Sequence, residues 1–198
     1  TRYRIAQRRG LGLDQQPHLD LLHPSRRLWR HTLPDCSLGT LERLILGVER
    51  TVEDVPGSMI PGLYLDYLRS GQTGEMDRVL YHNTQDILSL VRLAREVVGR
   101  FTEAPQQALT GPEALGVARW NLSAGRHPEA ESALQIAASA EEDQVRLTAY
   151  REYGLVLRQE GRFEEAVGLW RTWHAQAPED PEPCIELAKH FEWRERDF

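Results

Sequence analysis

Two residues four apart, His82 and Asp86, have the types and spacing that suit hydrolytic chemistry. On a helix they stack one turn above the other, at about 100° per residue. A carboxylate beside an imidazole can hold a divalent cation or handle the proton of an attacking water. The same pair also fits two ordinary polar residues in the first turns of a helix, so the surrounding chain has to decide. Ile87, Leu90, Val91 and Ala94 continue with a 3.6-residue period. That period predicts a helix whose apolar stripe packs against a core.

The composition bounds what this pair can belong to. Apolar residues at 40% and charged residues at 27% of 198 positions describe a globular chain of one ordinary domain or two small ones. No run of about 18 apolar residues offers a membrane span, and no apolar leader segment is visible. Cys36 and Cys184 lie far apart and form neither a disulfide framework nor a zinc spacing, so the expected setting is the cytoplasm. Residues 1–31 hold seven arginines against Asp14 and Asp20, a local charge of +5. The remainder of the chain carries −11 of the total of −6. Such a basic end suits phosphates, with Arg26, Arg27 and Arg30 as candidate contacts; a solvated arginine-rich surface fits equally.

The elements that must position the pair can be read in order. His18 to Leu22 is a short apolar run between Pro17 and Pro24, which suits a buried strand with Asp20 near its middle. Ser25 is a candidate cap for a short helix through Trp29. Ser37 is a plausible N-cap for a helix stopped by Gly47, with Leu38, Leu41, Leu44 and Ile45 as its buried stripe. Asp54-Val55-Pro56-Gly57 and Ile60-Pro61-Gly62 mark turns, and Leu63 to Arg69 forms a short helix closed by Ser70-Gly71. The helix of His82 and Asp86 then starts at or just before Asp77 and runs to about Phe101. Residues 102–112, with two prolines and a glycine, form the expected linker, after which Thr110 signals a fresh helix start.

The C-terminal part repeats itself. Gly125-Arg126-His127-Pro128-Glu129-Ala130 recurs as Gly161-Arg162-Phe163-Glu164-Glu165-Ala166, a period of 36 residues. Tyr150, Tyr153, Gly154 and Leu157 share one helix face; Phe163, Ala166, Trp170 and Trp173 share the next. This pattern resembles the tetratricopeptide repeat, with Leu147 to Asp180 as a full unit, a looser unit at about 111–146, and a third unit starting at Pro181. The resemblance implies paired antiparallel helices and a protein or peptide partner, and makes the Trp and Tyr side chains packing residues.

In the same order, the words of the first hundred residues resemble the YprB-type, RNase H-like exonuclease family of the DEDD 3′–5′ exonuclease superfamily. They are Tyr3 and the arginine-rich start, His18-Leu19-Asp20-Leu21-Leu22, Arg26-Arg27-Leu28-Trp29 and Ser37-Leu38-Gly39-Thr40-Leu41-Glu42. Asp54-Val55-Pro56-Gly57, Ile60-Pro61, Tyr64, Tyr67-Leu68 and His82-Asn83-x-x-Asp86-Ile87 follow. The resemblance implies metal-dependent cleavage of DNA or RNA with two divalent ions, Mg²⁺ or Mn²⁺, about 4 Å apart. It makes Asp86 a metal ligand and gives the attacking water to a neighbouring Tyr or His. His82 stands at the position of the tyrosine class and Tyr81 at that of the histidine class. His82 is favoured, because minus four lies on the Asp86 face. Asp20 stands on a family word but is not one of the four ligands.

No D-x-E precedes Asp20 and no N-x-x-x-F-D occurs in this sequence, so three of the four ligands that the resemblance implies are lacking. The resulting expectation is a mainly α chain. Residues 1–101 form the C-terminal remnant of an α/β RNase H-like domain with a single strand near His18–Leu22. Residues 102–112 link it to tetratricopeptide-like helices over 113–198. By itself the chain is expected to be inert as a nuclease. A second reading, from another class, is a non-catalytic helical scaffold.

Overall fold

A computed structural model describes residues 19–50, 55–102 and 109–192. Tyr3, His18, Asp54, most of the expected linker and the last six residues fall outside them. Among the described residues the chain forms nine helices and no strand. They are α1 (Leu22–Trp29), α2 (Leu38–Leu44), α3 (Ile60–Ser70), α4 (Gly74–Thr102), α5 (Gly111–Ser123), α6 (His127–Ala138), α7 (Asp143–Gln159), α8 (Phe163–Gln176) and α9 (Glu182–His190). No helix among the described residues is long and apolar enough to cross a membrane.

The strand expected near His18–Leu22 is not present in the described part of that run. Leu22 instead opens α1, whose first backbone N–H donates to the Asp20 carboxylate at 2.9 Å. Pro24 sits in the first turn, where its missing N–H removes no helical hydrogen bond. A short apolar run between prolines does not distinguish a strand from a helix start, and the Asp20 contact settles it locally. Asp20 is exposed rather than buried, and Ser25 lies buried inside α1 rather than capping it.

The remaining helix ends follow local chemistry. The Ser37 hydroxyl accepts the Thr40 N–H at the start of α2, and Gly47 turns the chain beyond it with φ of 62°. Gly71 closes α3 in the left-handed conformation. Thr110 and Glu113 form a reciprocal capping box at α5. The repeated words also behave alike. Gly125 and Gly161 both take positive φ, and the next N–H in each case reaches back five residues, Arg126 to Asn121 and Arg162 to Leu157. Ala130 and Ala166 are both fully buried where the following helix meets its neighbour.

From α5 to α9 each helix packs on the next, giving two helical hairpins and a further helix. Gly154 of α7 lets Trp170 of α8 approach so closely that a Cβ there would lie 2.5 Å from its indole nitrogen. On the other side, α2 and α3 pack on α4, and α1 lies on α5. One hydrophobic core therefore runs across both sides of residues 103–108: Leu28, Trp29, Leu41, Leu93 and Val97 cluster with Leu115, Ala118 and the residues of α6–α8.

Gly116 is where α1 meets α5. A Cβ at Gly116 would stand 2.3 Å from the Arg27 carbonyl oxygen, a clash with backbone. Gly116→Ala should therefore lower stability by about 1–3 kcal/mol despite the better helix propensity of alanine. Urea unfolding reads this as a lower midpoint at unchanged m. Gly99→Ala on α4, where a Cβ meets nothing within 4 Å, should show a gain of about 0.5–1 kcal/mol instead.

The orientation of α4 differs from expectation. Its buried side is His82, Ser89, Leu93 and Val97, while Ile87, Leu90 and Val91 are 54%, 44% and 64% exposed. The expected apolar stripe thus faces outward, joined by exposed Leu80, Leu88 and Val98 and by Tyr64, Leu65 and Leu68 of α3.

Candidate active site

The buried side of α4 carries His82, Asp86, Ser89, Leu93 and Val97 at helical spacing, so the two polar residues first singled out continue directly into the core contact. His82 is buried, and the neighbouring Tyr81 ring meets it edge-on at 5.7 Å between centroids while staying 39% exposed. Asp86 is half-exposed, with 45% of its side chain open to solvent.

The Asp86 carboxylate does not stand alone. Arg50, on the segment after α2, donates from Nη2 to Asp86 Oδ1 at 2.5 Å. The same guanidinium grips Glu42 of α2 in two bonds, Nε to Oε2 at 2.8 Å and Nη2 to Oε1 at 2.9 Å. The segment bearing Arg50 is folded back by the Val48 N–H, which donates to the Glu42 carbonyl. Arg50 thus bridges two carboxylates from two helices, and its forked geometry suits the paired Glu42 contact.

Glu42 is almost fully buried. Burial pushes its carboxyl up, but the Arg50 guanidinium and the Ser89 hydroxyl outweigh that and hold it below the usual carboxylate range. Arg50 is held firmly protonated, first by its hydrogen bonds to Glu42 against the opposing effect of burial, and then by Asp86. The result is a cluster of one guanidinium between two carboxylates, on α2, α4 and the segment between α2 and α3. Sequence reasoning singled out Asp86 but neither Arg50 nor Glu42. Glu42 closes the Ser37–Glu42 word, and an acid following Leu38 and Leu41 at helical spacing was the signal available for it.

The described residues do not fit a two-metal site. No group of three or more His, Cys, Asp or Glu side chains among them is placed to hold a metal ion, and one of the two Asp86 oxygens, Oδ1, accepts from Arg50.

Arg26 and Arg27 lie elsewhere, on the outer face of α1, with Arg30 at its C-terminal cap. With His23 they follow the helical period opposite the buried Pro24, Ser25, Leu28 and Trp29. They line a groove of about 590 Å³ between α1 and α5 together with Arg119 and Trp120. The structure therefore separates the candidate phosphate contacts from the Asp86 cluster: Phe101, 15 residues beyond Asp86 on α4, is the residue whose ring touches Trp120, at 5.0 Å between centroids.

Residues 1–98 match the family model of the RNase_H superfamily. The chain is 32% identical over 204 aligned residues to the uncharacterized protein YprB of Bacillus subtilis (strain 168), an alignment covering all of this chain and 48% of that protein. The chain thus spans about half the length of the curated relative it matches. No solved structure matches it. The described part of residues 1–98 is helical and irregular, so the likeness to that superfamily is one of sequence.

Proposed function

We propose that this chain is part of a metal-dependent 3′–5′ exonuclease-like protein acting on nucleic acid, with Asp86 and His82 in its reactive region. The observation that carries the reading is the half-exposed Asp86, set beside buried His82 inside the stretch that matches the RNase_H superfamily. In this reading Asp86 supplies one oxygen to a Mg²⁺ or Mn²⁺ ion, and His82 rather than Tyr81 positions the attacking water. Arg50 holds one of the two Asp86 oxygens, and without the carboxylates of the D-x-E and N-x-x-x-F-D motifs the chain by itself is inert. Residues 1–101 belong to the nuclease-like unit. Residues 113–198, as tetratricopeptide-like hairpins in a cytoplasmic protein, brace it or bind a protein partner, and the core shared between α1 and α5 favours bracing.

The test is digestion of end-labelled single-stranded DNA and RNA with Mg²⁺ or Mn²⁺. The chain should be assayed alone and joined to an upstream segment carrying D-x-E and N-x-x-x-F-D. The joined protein should shorten strands from the 3′ end, and Asp86→Asn should slow it by about 100-fold or more. An inert joined protein, or an Asp86→Asn variant as fast as its parent, would overturn the reading. A helical scaffold would then remain, a role favoured by the ion pair that already occupies Asp86.

A further inference from the structure

We propose that the groove between α1 and α5 binds the phosphate backbone of single-stranded nucleic acid, with the first of the C-terminal helices supplying one wall. The proposal deepens the nucleic-acid reading above, and places the contact on a surface distinct from the Asp86 cluster.

Its residues make a one-signed surface. His23, Arg26 and Arg27 on one face of α1 and Arg30 at its C-terminal cap line the groove, with Arg119 and Trp120 lining it from α5. Among the described residues no carboxylate lines it. Among the described residues none of Arg26, Arg27 and Arg30 forms an ion pair, whereas nine of the fourteen other arginines do, in a chain whose net charge is −6. Gathering unpaired like charges in one cleft is unfavourable in the free protein and is offset by an anion that runs along it.

The groove is also shaped for more than a simple ion. Its volume of about 590 Å³ falls in the range that holds a nucleotide-sized ligand. The Arg27 guanidinium lies 5.0 Å over the Trp120 ring, which packs in turn against Phe101. That stacking holds a charged plane in place, so less side-chain freedom is lost when a phosphate or base arrives. Arginine planes and aromatic rings along a basic groove are the means by which single strands are gripped without sequence preference. Arg119 is anchored by Glu152 and keeps its position while contributing less free charge. Gly116 leaves the groove floor without a side chain, so the close approach of α1 and α5 also shapes this surface.

The test is fluorescence anisotropy with labelled oligo(dT) and oligo(U) of about 15 nucleotides, without divalent cations so that no cleavage intervenes. Affinity should fall as salt rises from about 50 to 200 mM. The Arg26→Ala/Arg30→Ala double variant should bind about tenfold or more weakly at the lower salt. Its log–log salt slope should be shallower by about 1.4, the value for two lost phosphate contacts on a single strand. Arg26 and Arg30 are exposed, so the double variant should keep the parent's unfolding temperature; Arg69→Ala on α3, also exposed, should bind as the parent does. Absence of binding at the lower salt, or a double variant equal to the parent, overturns the proposal. So does tighter binding of a duplex of equal length, or displacement by polyglutamate at charge-matched concentrations, which would mark an acidic protein partner. Binding with the expected salt slope but no cleavage by the joined protein would support the groove while removing the exonuclease reading.

Discussion

Trp29→Ala should destabilise the protein by about 3–5 kcal/mol, lowering the unfolding temperature by about 6–20 °C. Trp29 is 2% exposed and lies where three helices meet. Its indole N–H donates to Glu113 Oε1 at 2.7 Å, and Arg100 of α4 donates from Nε to the same oxygen at 2.8 Å. The Arg100 guanidinium also stands 5.5 Å above the indole ring. The other Glu113 oxygen accepts from the Thr110 N–H and hydroxyl, so one buried carboxylate both caps α5 and ties it to α1 and α4. Alanine would leave a cavity the size of an indole and remove a donor from that carboxylate. Trp29→Phe keeps most of the volume and should cost only about 1–3 kcal/mol, the cost of the lost bond. Urea unfolding at neutral pH measures both. A Trp29→Ala loss under 1 kcal/mol would mean that α1 is not docked on α5.

The second large effect is expected at Glu42. Removing one partner from a buried ion pair costs about 3–5 kcal/mol, because the other charge is left uncompensated. Glu42→Ala should fall at the lower end, about 3 kcal/mol, since Arg50 keeps Asp86 and is 20% exposed. Its pH dependence has a definite sign. The folded Glu42 carboxyl lies below its unfolded value of about 4.3, so its contribution is fully present above that pH and disappears as pH falls through the folded value. Glu42→Gln should accordingly be destabilised at pH 7, with the gap to the parent narrowing steadily as the solution is acidified below about pH 4. Chemical unfolding across that range measures the gap, and a constant gap would show that Glu42 is not held as a carboxylate by Arg50. Glu113 is depressed in the same sense: burial pushes it up, and Arg100, the Thr110 N–H and Trp29 outweigh that. Acid should therefore loosen the Glu42 cluster and the α1–α4–α5 junction together.

The sequence by itself determined the features that depend on a few neighbouring residues. The Ser37 cap, the Gly47 and Gly71 stops, the Thr110–Glu113 capping box and the paired turns at Gly125 and Gly161 all stand where their residue types put them. Each is local: one side chain satisfies one exposed N–H, or one glycine takes a conformation that other residues resist. The superfamily match over residues 1–98 was legible for a similar reason, since collinear words survive without any knowledge of packing.

Only the tertiary structure decided which face of α4 is buried. Hydrophobic period pointed to Ile87, Leu90 and Val91, yet the side with His82, Asp86 and Ser89 turns inward, because α2 and the Arg50 segment offer that side charged partners, Glu42 for the Ser89 hydroxyl and Arg50 for Asp86. The partners lie 36 residues apart for Arg50 and Asp86 and 84 apart for Trp29 and Glu113, distances at which no sequence pattern specifies a contact. Likewise the charge of Arg26, Arg27 and Arg30 was visible in the sequence, but Trp120 and the groove wall were not. Burial depends on what the rest of the chain brings to a surface, and a helix with two chemically usable faces does not choose between them alone.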